Sequence, residues 1–91
     1  MAVKILIPNS LQKYTNNQAI LEYTIDTVNE LIRNIETDFP EIRNHLTDDN
    51  GKLHRFLNFY VNNDDIRFLD NRETKLKDGD EVSIISAIAG G

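Results

Sequence analysis

The first quarter of the chain predicts two strands from its alternation of apolar and polar positions. Apolar residues occupy every second position over 3–7 and stop at Pro8, which is typical of a short strand. Polar residues then fill 12–17 and predict a turn, after which apolar residues return over 19–23. Because strands that follow each other along the chain commonly pair, we expect this second strand to form a hairpin with the first.

The next segment predicts the main helix. Thr27 and Glu30 have the spacing of a capping box, in which the threonine hydroxyl accepts from the Glu30 amide while the glutamate reaches back. Pro40 ends the predicted helix, because the residue before a proline is disfavoured in the α region. Residues 42–46 predict one further helical turn. The apolar positions that follow the cap at helical spacing are Val28, Leu31, Ile32, Ile35 and Phe39.

The second half of the chain predicts more strands. A loop over 47–51 precedes an aromatic and branched segment, 56–61, which is typical of a strand. The order of elements is then β-β-α-β-β-β, so the fold class is α+β, with one helix across one face of a mixed sheet. We expect the β-grasp topology, with a domain over 1–86 and a flexible C-terminal tail over 87–91. The later predicted elements are a turn at 62–65, a returning strand at 66–68, a turn around Gly79 at 77–80 and a last strand at 82–85.

Length and charge narrow the class of protein. The chain has 91 residues and a formal net charge of −5, with a pI near 4.8. A chain of this length forms one small domain, and its acidity argues against a nucleic-acid partner, which requires a basic face. No apolar run approaches the roughly 20 residues that span a bilayer, and the start lacks a signal peptide. We therefore expect a cytoplasmic protein with no membrane partner.

The sequence lacks the residues or the spacing that several kinds of catalytic and metal-binding site require. The sequence has no cysteine, which excludes disulfides, thiolate metal sites and thiol catalysis by this chain. A calcium loop centred on 48–51 would need carboxylates where the chain has leucines. His45 and His54 lack the spacing of a metal site, and no nucleophile or carboxylate pair has a readable partner. We expect no catalytic residue, no metal and no cofactor bound by the chain itself.

A basic segment and the strand after it are candidate docking residues. Residues 52–55 concentrate positive charge on an acidic protein, and they are either a solvated loop or a docking patch for an anionic partner surface. In the strand that follows, aromatic residues alternate with core-facing ones. They either contact partners or cover a second small core under the loop. The docking hypothesis names Lys52, His54, Arg55, Phe56, Asn58 and Tyr60.

The sequence ends in Ala87-Ile88-Ala89-Gly90-Gly91, small uncharged residues that directly follow the last predicted strand. A frayed terminus is the common interpretation of such an end. The alternative is a stalk: five extended residues reach roughly 17 Å, and glycines pass a channel too narrow for side chains. Ordering this stalk costs on the order of 5–10 kcal/mol of backbone entropy, which a partner must offset.

These features together resemble a known family. A β-grasp pattern, the turn at 78–80, a final strand and the Gly90-Gly91 terminus resemble the ubiquitin-like sulfur carrier proteins of the MoaD/ThiS family over nearly the whole chain. Within the family the chain is similar to the CysO-type carriers of cysteine biosynthesis, and departs from them over 22–50 and 69–77. That similarity is carried by residues 51–56, Asn58, 60–62, Asp65, 67–68 and 87–91.

The resemblance implies that Gly91 carries sulfur as a C-terminal thiocarboxylate. It implies an E1-like adenylyltransferase of the MoeB/ThiF type that adenylates Gly91 with ATP and magnesium, after which sulfur displaces AMP. Gly90, Ala89, Ile88 and Ala87 would then thread the active site of the partner. The implied acceptor is a PLP-dependent cysteine synthase, with a metal-dependent hydrolase that releases the product. The chain itself would be a cosubstrate and not an enzyme.

Three other functions remain open at this point. The carrier could serve molybdopterin or thiazole synthesis. It could instead be a protein modifier that is joined to lysines through Gly91, as ubiquitin-like proteins are. The third is a passive interaction module with an incidental terminus. A thiocarboxylate mass on the free protein would favour the carrier, and a stable conjugate with lysine would favour the modifier. Activity in cells that survives deletion of Gly91 would favour the interaction module.

Overall fold

The computed structural model describes residues 2–86, and these form a five-stranded sheet with one long helix. Shorter helical segments join the larger elements. The strands are β1 (Val3–Leu6), β2 (Ile20–Tyr23), β3 (Leu57–Val61), β4 (Asp64–Asp65) and β5 (Glu81–Ser86). The helices are α1 (Val28–Asp38) and the short α2 (Arg43–Leu46), with 3₁₀ turns at Asn9–Tyr14, Pro40–Ile42, Ile66–Phe68 and Asn71–Glu73.

The sheet is mixed, with the strand order β2-β1-β5-β3-β4. β1 pairs with β2 as the predicted antiparallel hairpin, and β5 enters between β1 and β3. β5 runs parallel to β1 and antiparallel to β3, so the last described strand is the central one. This arrangement confirms the predicted α+β class and the β-grasp topology.

The core lies between the sheet and α1. In β5, Val82 and Ile84 are buried while Glu81 and Ile85 are exposed, as expected for a strand with one covered face. The inward residues of the strands meet the apolar stripe of α1. The most deeply buried side chains include Ile5, Phe59 and Val82 from the sheet and Val28, Leu31, Ile32 and Ile35 from α1. On the opposite face of the sheet, Ile20 and Ile85 are exposed and Leu6 and Ser83 are half-buried.

The boundaries of α1 follow from its cap and from Pro40. The Thr27 hydroxyl accepts a hydrogen bond from the Glu30 amide at 3.2 Å, which confirms the predicted cap. The Glu30 carboxylate accepts from the amide of Asp26 at 3.0 Å, one residue earlier than in the usual box. Pro40 opens a 3₁₀ turn immediately after α1, and α2 supplies the further helical turn expected over 42–46.

Two predicted elements need correction. The polar stretch expected as a turn over 12–17 is partly a 3₁₀ helix, Asn9–Tyr14, because buried Leu11 anchors it to the core. After this helix, Asn16 and Asn17 take left-handed φ values and form the predicted turn into β2.

The second correction concerns the strand expected over 66–68. The returning strand is instead β4, because Asn62 and Asn63 take left-handed φ values of 49° and 81° and close a tight turn. Asp65 then caps the 3₁₀ helix Ile66–Phe68 by accepting from the Arg67 amide at 2.8 Å. This cap ends β4 after two residues.

Within residues 2–86, no helix has both the length and the apolar character that crossing a bilayer requires.

Candidate functional site

The candidate site is the end of β5 and its surroundings, from which the predicted tail continues. Residues 87–91 lie outside the described part of the chain, so the roles assigned to Ala87, Ile88, Ala89, Gly90 and Gly91 stay predictions. The described structure shows the strand on which that tail is rooted.

The start of β5 is held by a network of hydrogen bonds around Asp80. This carboxylate is buried, and it accepts from the amide of Lys77 and from the side chain of Asn62, both at 2.9 Å. The Asn62 side-chain oxygen in turn accepts from the amide of Glu81 at 3.0 Å. Gly79 supplies the positive φ of 89° that the predicted turn requires. The turn at 78–80 is therefore tied to the β3–β4 hairpin, which fixes where β5 begins.

The end of β5 is paired on one side only. β1 pairs with β5 as far as Ser83, whereas the pairing with β3 continues to Ser86, which lies opposite Leu57. Ile84 remains buried in this stretch. The root of the tail therefore projects past β1 while it is still held by β3 and by the core.

Two grooves flank Ser86. A groove of about 470 Å³ lies toward the end of β1 and Pro8, and one of about 280 Å³ lies toward Tyr14 and Phe56. Among the described residues, no carboxylate lines either groove, and Lys13 brings a positive charge to the second. Among the described residues, the walls at the root of the tail therefore carry no negative charge.

A small aromatic array borders the second groove. The rings of Tyr14 and His45 stack with centroids 4.2 Å apart, and the Lys13 ammonium lies 5.3 Å from the Tyr14 ring centroid. His45 is in the last turn of α2, as its sequence position predicts. The array gives this side of the root a rigid, partly cationic wall.

The predicted basic segment adopts a fixed shape. The Asp48 carboxylate accepts from the amides of Lys52 and Asn50 at 3.0 and 2.8 Å, and these hydrogen bonds hold its pKa below the usual range. Lys52 and Arg55 are exposed at this loop. His54 is half-buried, and its Nε2 donates to the carbonyl oxygen of Asn44 at 2.8 Å. The positive charges named by the docking hypothesis are therefore displayed by a folded loop.

Phe56 and Tyr60 lie in different places. Phe56 is half-buried, packs against the core and stacks on His54 with centroids 4.9 Å apart. Tyr60 is half-buried in β3, where it lies opposite Ser83 of β5. The alternation along β3 puts Tyr60 and Asn58 on the open face of the sheet. The predicted docking residues thus divide between this face and the loop beside the root.

The open face also carries apolar residues that the docking hypothesis left out. Ile85 is 47% exposed opposite Asn58, and Ile20 is 54% exposed opposite Leu6. For Ile85 the signal was present in the sequence, because a strand that turns Val82 and Ile84 inward turns Ile85 to the other face. We define the open face by Leu6, Ile20, Asn58, Tyr60, Ser83 and Ile85.

The described residues contain no group of three or more histidine, aspartate or glutamate side chains placed to hold a metal ion. Arg67 and Asp65 form an ion pair at 2.7 Å. The open face and the surroundings of Ser86 are surfaces on which this part of the chain can contact a partner.

Solved structures with this arrangement place the chain in a class, the ubiquitin-like β-grasp proteins. A chain of the crystal structure of the Amycolatopsis orientalis BexX/CysO complex is similar to it, with a TM-score of 0.88 and 39% identity. The match covers 98% of this chain and 99% of that one.

The profile of the ThiS family matches residues 5–91, and the chain belongs to that family. The sulfur carrier protein CysO of Mycobacterium tuberculosis (strain ATCC 25618 / H37Rv) is 40% identical, with all of both chains covered. The small archaeal modifier protein 3 of Haloferax volcanii is 32% identical over 71% of this chain and 70% of its own length. The family resemblance seen in the sequence, including its CysO-type branch, is confirmed.

Proposed function

We propose that this protein carries sulfur as a thiocarboxylate on Gly91 and delivers it in cysteine biosynthesis. The observation that carries this proposal is the full-length similarity to the CysO sulfur carrier, at 40% identity, together with a family match that extends through residue 91. The named relatives include a sulfur carrier protein, and the open face and the surroundings of Ser86 offer recognition surfaces. The chain acts in this proposal as a cosubstrate of enzymes.

The first step joins the tail to AMP. A Gly91 carboxylate oxygen attacks the α-phosphorus of ATP on an E1-like adenylyltransferase of the MoeB/ThiF type, and pyrophosphate leaves. A sulfur nucleophile then adds to the Gly91 carbonyl carbon, and AMP leaves as the thiocarboxylate forms. Because a carboxylate and a triphosphate repel each other, the enzyme supplies magnesium and cationic side chains. ATP and magnesium belong to the partner and not to this chain.

The second step passes the sulfur on. On a PLP-dependent cysteine synthase, the thiocarboxylate sulfur bonds to the β-carbon of an aminoacrylate. The acyl group then shifts from sulfur to nitrogen, and hydrolysis of the new amide by a metal-dependent hydrolase releases cysteine and restores the Gly91 carboxylate. Each step takes place at the end of the tail, so Gly90, Ala89, Ile88 and Ala87 must pass through a narrow channel.

The surroundings of Ser86 support this use. β5 is the central strand of the sheet and is held at its start by Asp80. A force on the tail beyond Ser86 is therefore resisted by the hydrogen bonds and core contacts of this strand. The grooves beside Ser86 lack carboxylates among the described residues, so they add no negative charge to the surface from which the tail starts. The open face and the loop with Lys52 and Arg55 provide surface for enzyme partners to hold the domain while the tail reacts.

Intact-mass measurement tests the proposal. The protein is incubated with an E1-like adenylyltransferase, MgATP and sulfide, and the expected product has gained the mass difference between sulfur and oxygen. A variant without Gly91 should show no gain, while the control variant Thr37→Ala, which changes an exposed residue of α1 and keeps the whole tail, should gain as the native chain does. A gain in the variant without Gly91 would contradict the assigned position of the sulfur.

A second candidate function is protein modification through Gly91. The similarity to the small archaeal modifier protein 3 supports this candidate, because that relative is named as a modifier and is 32% identical to this chain. An amide bond between Gly91 and a lysine leaves a conjugate that resists reduction and nucleophiles, whereas a thiocarboxylate stays on the free protein. Accumulation of such conjugates in cell extract, without any thiocarboxylate, would favour the modifier over the carrier.

A further inference from the structure

A gap lies beside the first half of β3. β4 pairs only with Tyr60 and Val61, so within residues 2–86 no strand pairs with Leu57–Phe59 on that side. The chain leaves the sheet there for the 3₁₀ turns that follow Asp65. A cavity of about 460 Å³ opens in the space that a longer β4 would fill. We call this space the β3 gap and define it by Leu57, Phe59, Ile66, Arg55, Arg67 and Arg72.

The floor of the β3 gap is apolar. Leu57, Phe59 and Ile66 line it, and each is buried in the core. The adjoining stretch of β3 is an edge, where the Leu57 amide already donates to the carbonyl oxygen of His54 at 3.1 Å, which leaves the backbone of Phe59 to hydrogen-bond to an added strand. Recognition by strand addition uses these two features together, main-chain pairing along the edge and side-chain contact with an apolar floor.

The rim of the β3 gap is cationic. Arg55 is exposed and makes no hydrogen bond or ion pair with the described residues. Arg72 is held by the Asn29 side-chain oxygen at 3.0 Å and the Gly51 carbonyl oxygen at 2.6 Å, which use two of its five N–H donors. Both guanidinium groups therefore keep donors available for an anionic ligand.

One carboxylate offsets this charge and is already engaged. Asp65 accepts from Arg67 through Nη2 at 2.7 Å and Nε at 3.1 Å, and the pKa of this carboxyl is held low by that guanidinium. Of the charged side chains that line the gap, only Asp65 is negative, against three arginines. A protein of net charge −5 thus concentrates positive charge at one unfilled edge.

We propose that the β3 gap binds an extended acidic segment of a partner protein, laid beside Leu57–Phe59 with its carboxylates on Arg55 and Arg72. The occupant is an acidic peptide because the gap offers a strand edge and an apolar floor, which a small phosphate would leave unused. The arginines are also distributed along the gap, and two of them are already oriented by protein acceptors. This proposal does not depend on the chemistry assigned to Gly91.

Nuclear magnetic resonance titration tests the proposal on the full chain. The probe is a short acetylated peptide of alternating glutamate and valine, and the matched glutamine–valine peptide is the neutral control. We expect amide shifts concentrated at 57–59 and 65–67, weaker binding at higher salt, and little response to the neutral peptide. Inorganic phosphate should leave the 57–59 amides unmoved.

Charge reversal at the rim gives the matched pair of variants. Arg55→Glu should weaken acidic-peptide binding by about tenfold, because the new carboxylate on the protein repels the carboxylates of the peptide. Lys77→Glu makes the same charge change at an exposed position that does not line the gap, so it should bind within about twofold of the native chain. Far-UV circular dichroism checks that both variants fold.

Three results would overturn the proposal: equal binding of the neutral peptide, equal weakening by Lys77→Glu, or shifts at 57–59 caused by phosphate alone. The sulfur-loading assay of Arg72→Glu, which reverses the charge of a gap arginine outside the loop with Lys52 and Arg55, separates this inference from the proposed function. If the variant loses peptide binding but is loaded with sulfur as the native chain is, the peptide site is separate from the carrier function. If the native chain itself is not loaded, the proposed carrier function fails and the proposed peptide site is unaffected.

Discussion

Ile84 and Ile85 are neighbours on β5 that should respond in opposite ways to the same substitution. Ile84 is 3% exposed and faces α1, whereas Ile85 is 47% exposed on the open face. Ile84→Ala removes side-chain atoms from the core, and Ile85→Ala removes them from the surface proposed to contact enzymes. The pair therefore separates stability from docking within two adjacent positions of the root strand.

The magnitude follows from the burial of Ile84. Loss of three carbons forfeits about 2.4 kcal/mol of transfer free energy, and incomplete relaxation adds the cost of a cavity. We expect Ile84→Ala to lower the free energy of unfolding by about 3 kcal/mol, within the range for such core truncations. A domain of this length has roughly 5–14 kcal/mol of stability, so the variant still folds. Ile85→Ala should cost less than about 1 kcal/mol, because half of its side chain is already in water.

Urea unfolding followed by circular dichroism measures the first effect. With a slope near 1.5 kcal/mol per molar urea, Ile84→Ala should lower the midpoint by about 2 M and Ile85→Ala by well under 1 M. The rate of thiocarboxylate formation measures the second effect. We expect Ile85→Ala to slow loading by the E1-like enzyme and Ile84→Ala, kept below its unfolding range, to load at the native rate.

Two outcomes would refute the reasoning. Equal destabilisation by the two substitutions would mean that the core and open faces of β5 are wrongly assigned. Normal loading by Ile85→Ala, combined with slow loading by folded Ile84→Ala, would mean that the enzyme senses the core of the domain and not its open face.

Two further predictions concern α1 and Tyr23. Thr27→Ala should lower the free energy of unfolding by about 1 kcal/mol, because it leaves the Glu30 amide without its cap, while Thr37→Ala, which alters an exposed threonine on the same helix, should change it little. Burial, followed by the 2.9 Å hydrogen bond to Asp38, raises the pKa of Tyr23 above that of an unfolded tyrosine. The folded chain thus keeps a proton that the unfolded chain releases, so stability should fall as the pH rises past about 10. Urea midpoints measured from about pH 9 to about pH 11 should fall less steeply in Tyr23→Phe.

Local chemistry explains why α1 and the strands could be predicted. The hydroxyl of Thr27, the apolar stripe after it and Pro40 each act within a few residues, and all three operate in the structure as the sequence indicates. Alternation likewise identified the inward residues of β1 and β3. By contrast, the 3₁₀ helix Asn9–Tyr14 has no apolar period of its own and depends on the burial of Leu11, a tertiary contact.

Less of the candidate site could be predicted from the sequence than of the fold. Gly91 was assigned from a family resemblance, since the residues 87–91 alone also fit a frayed end. The β3 gap depends on where β4 stops, and β4 stops because Asp65 caps the next 3₁₀ turn. A sequence can indicate that Asp65 favours a turn, but the length of a strand left unpaired is set by long-range packing.

The strand order has a mechanical consequence for a carrier. If β5 were an edge strand, a partner that drew the tail into its active site could peel the strand from the sheet one hydrogen bond at a time. As the central strand, β5 is bonded to β3 as far as Ser86 and also to β1 as far as Ser83, and it buries Val82 and Ile84, so its separation from the sheet would break the core. The ordering cost of the tail therefore stays confined to the residues beyond Ser86, and the partner must offset only that cost.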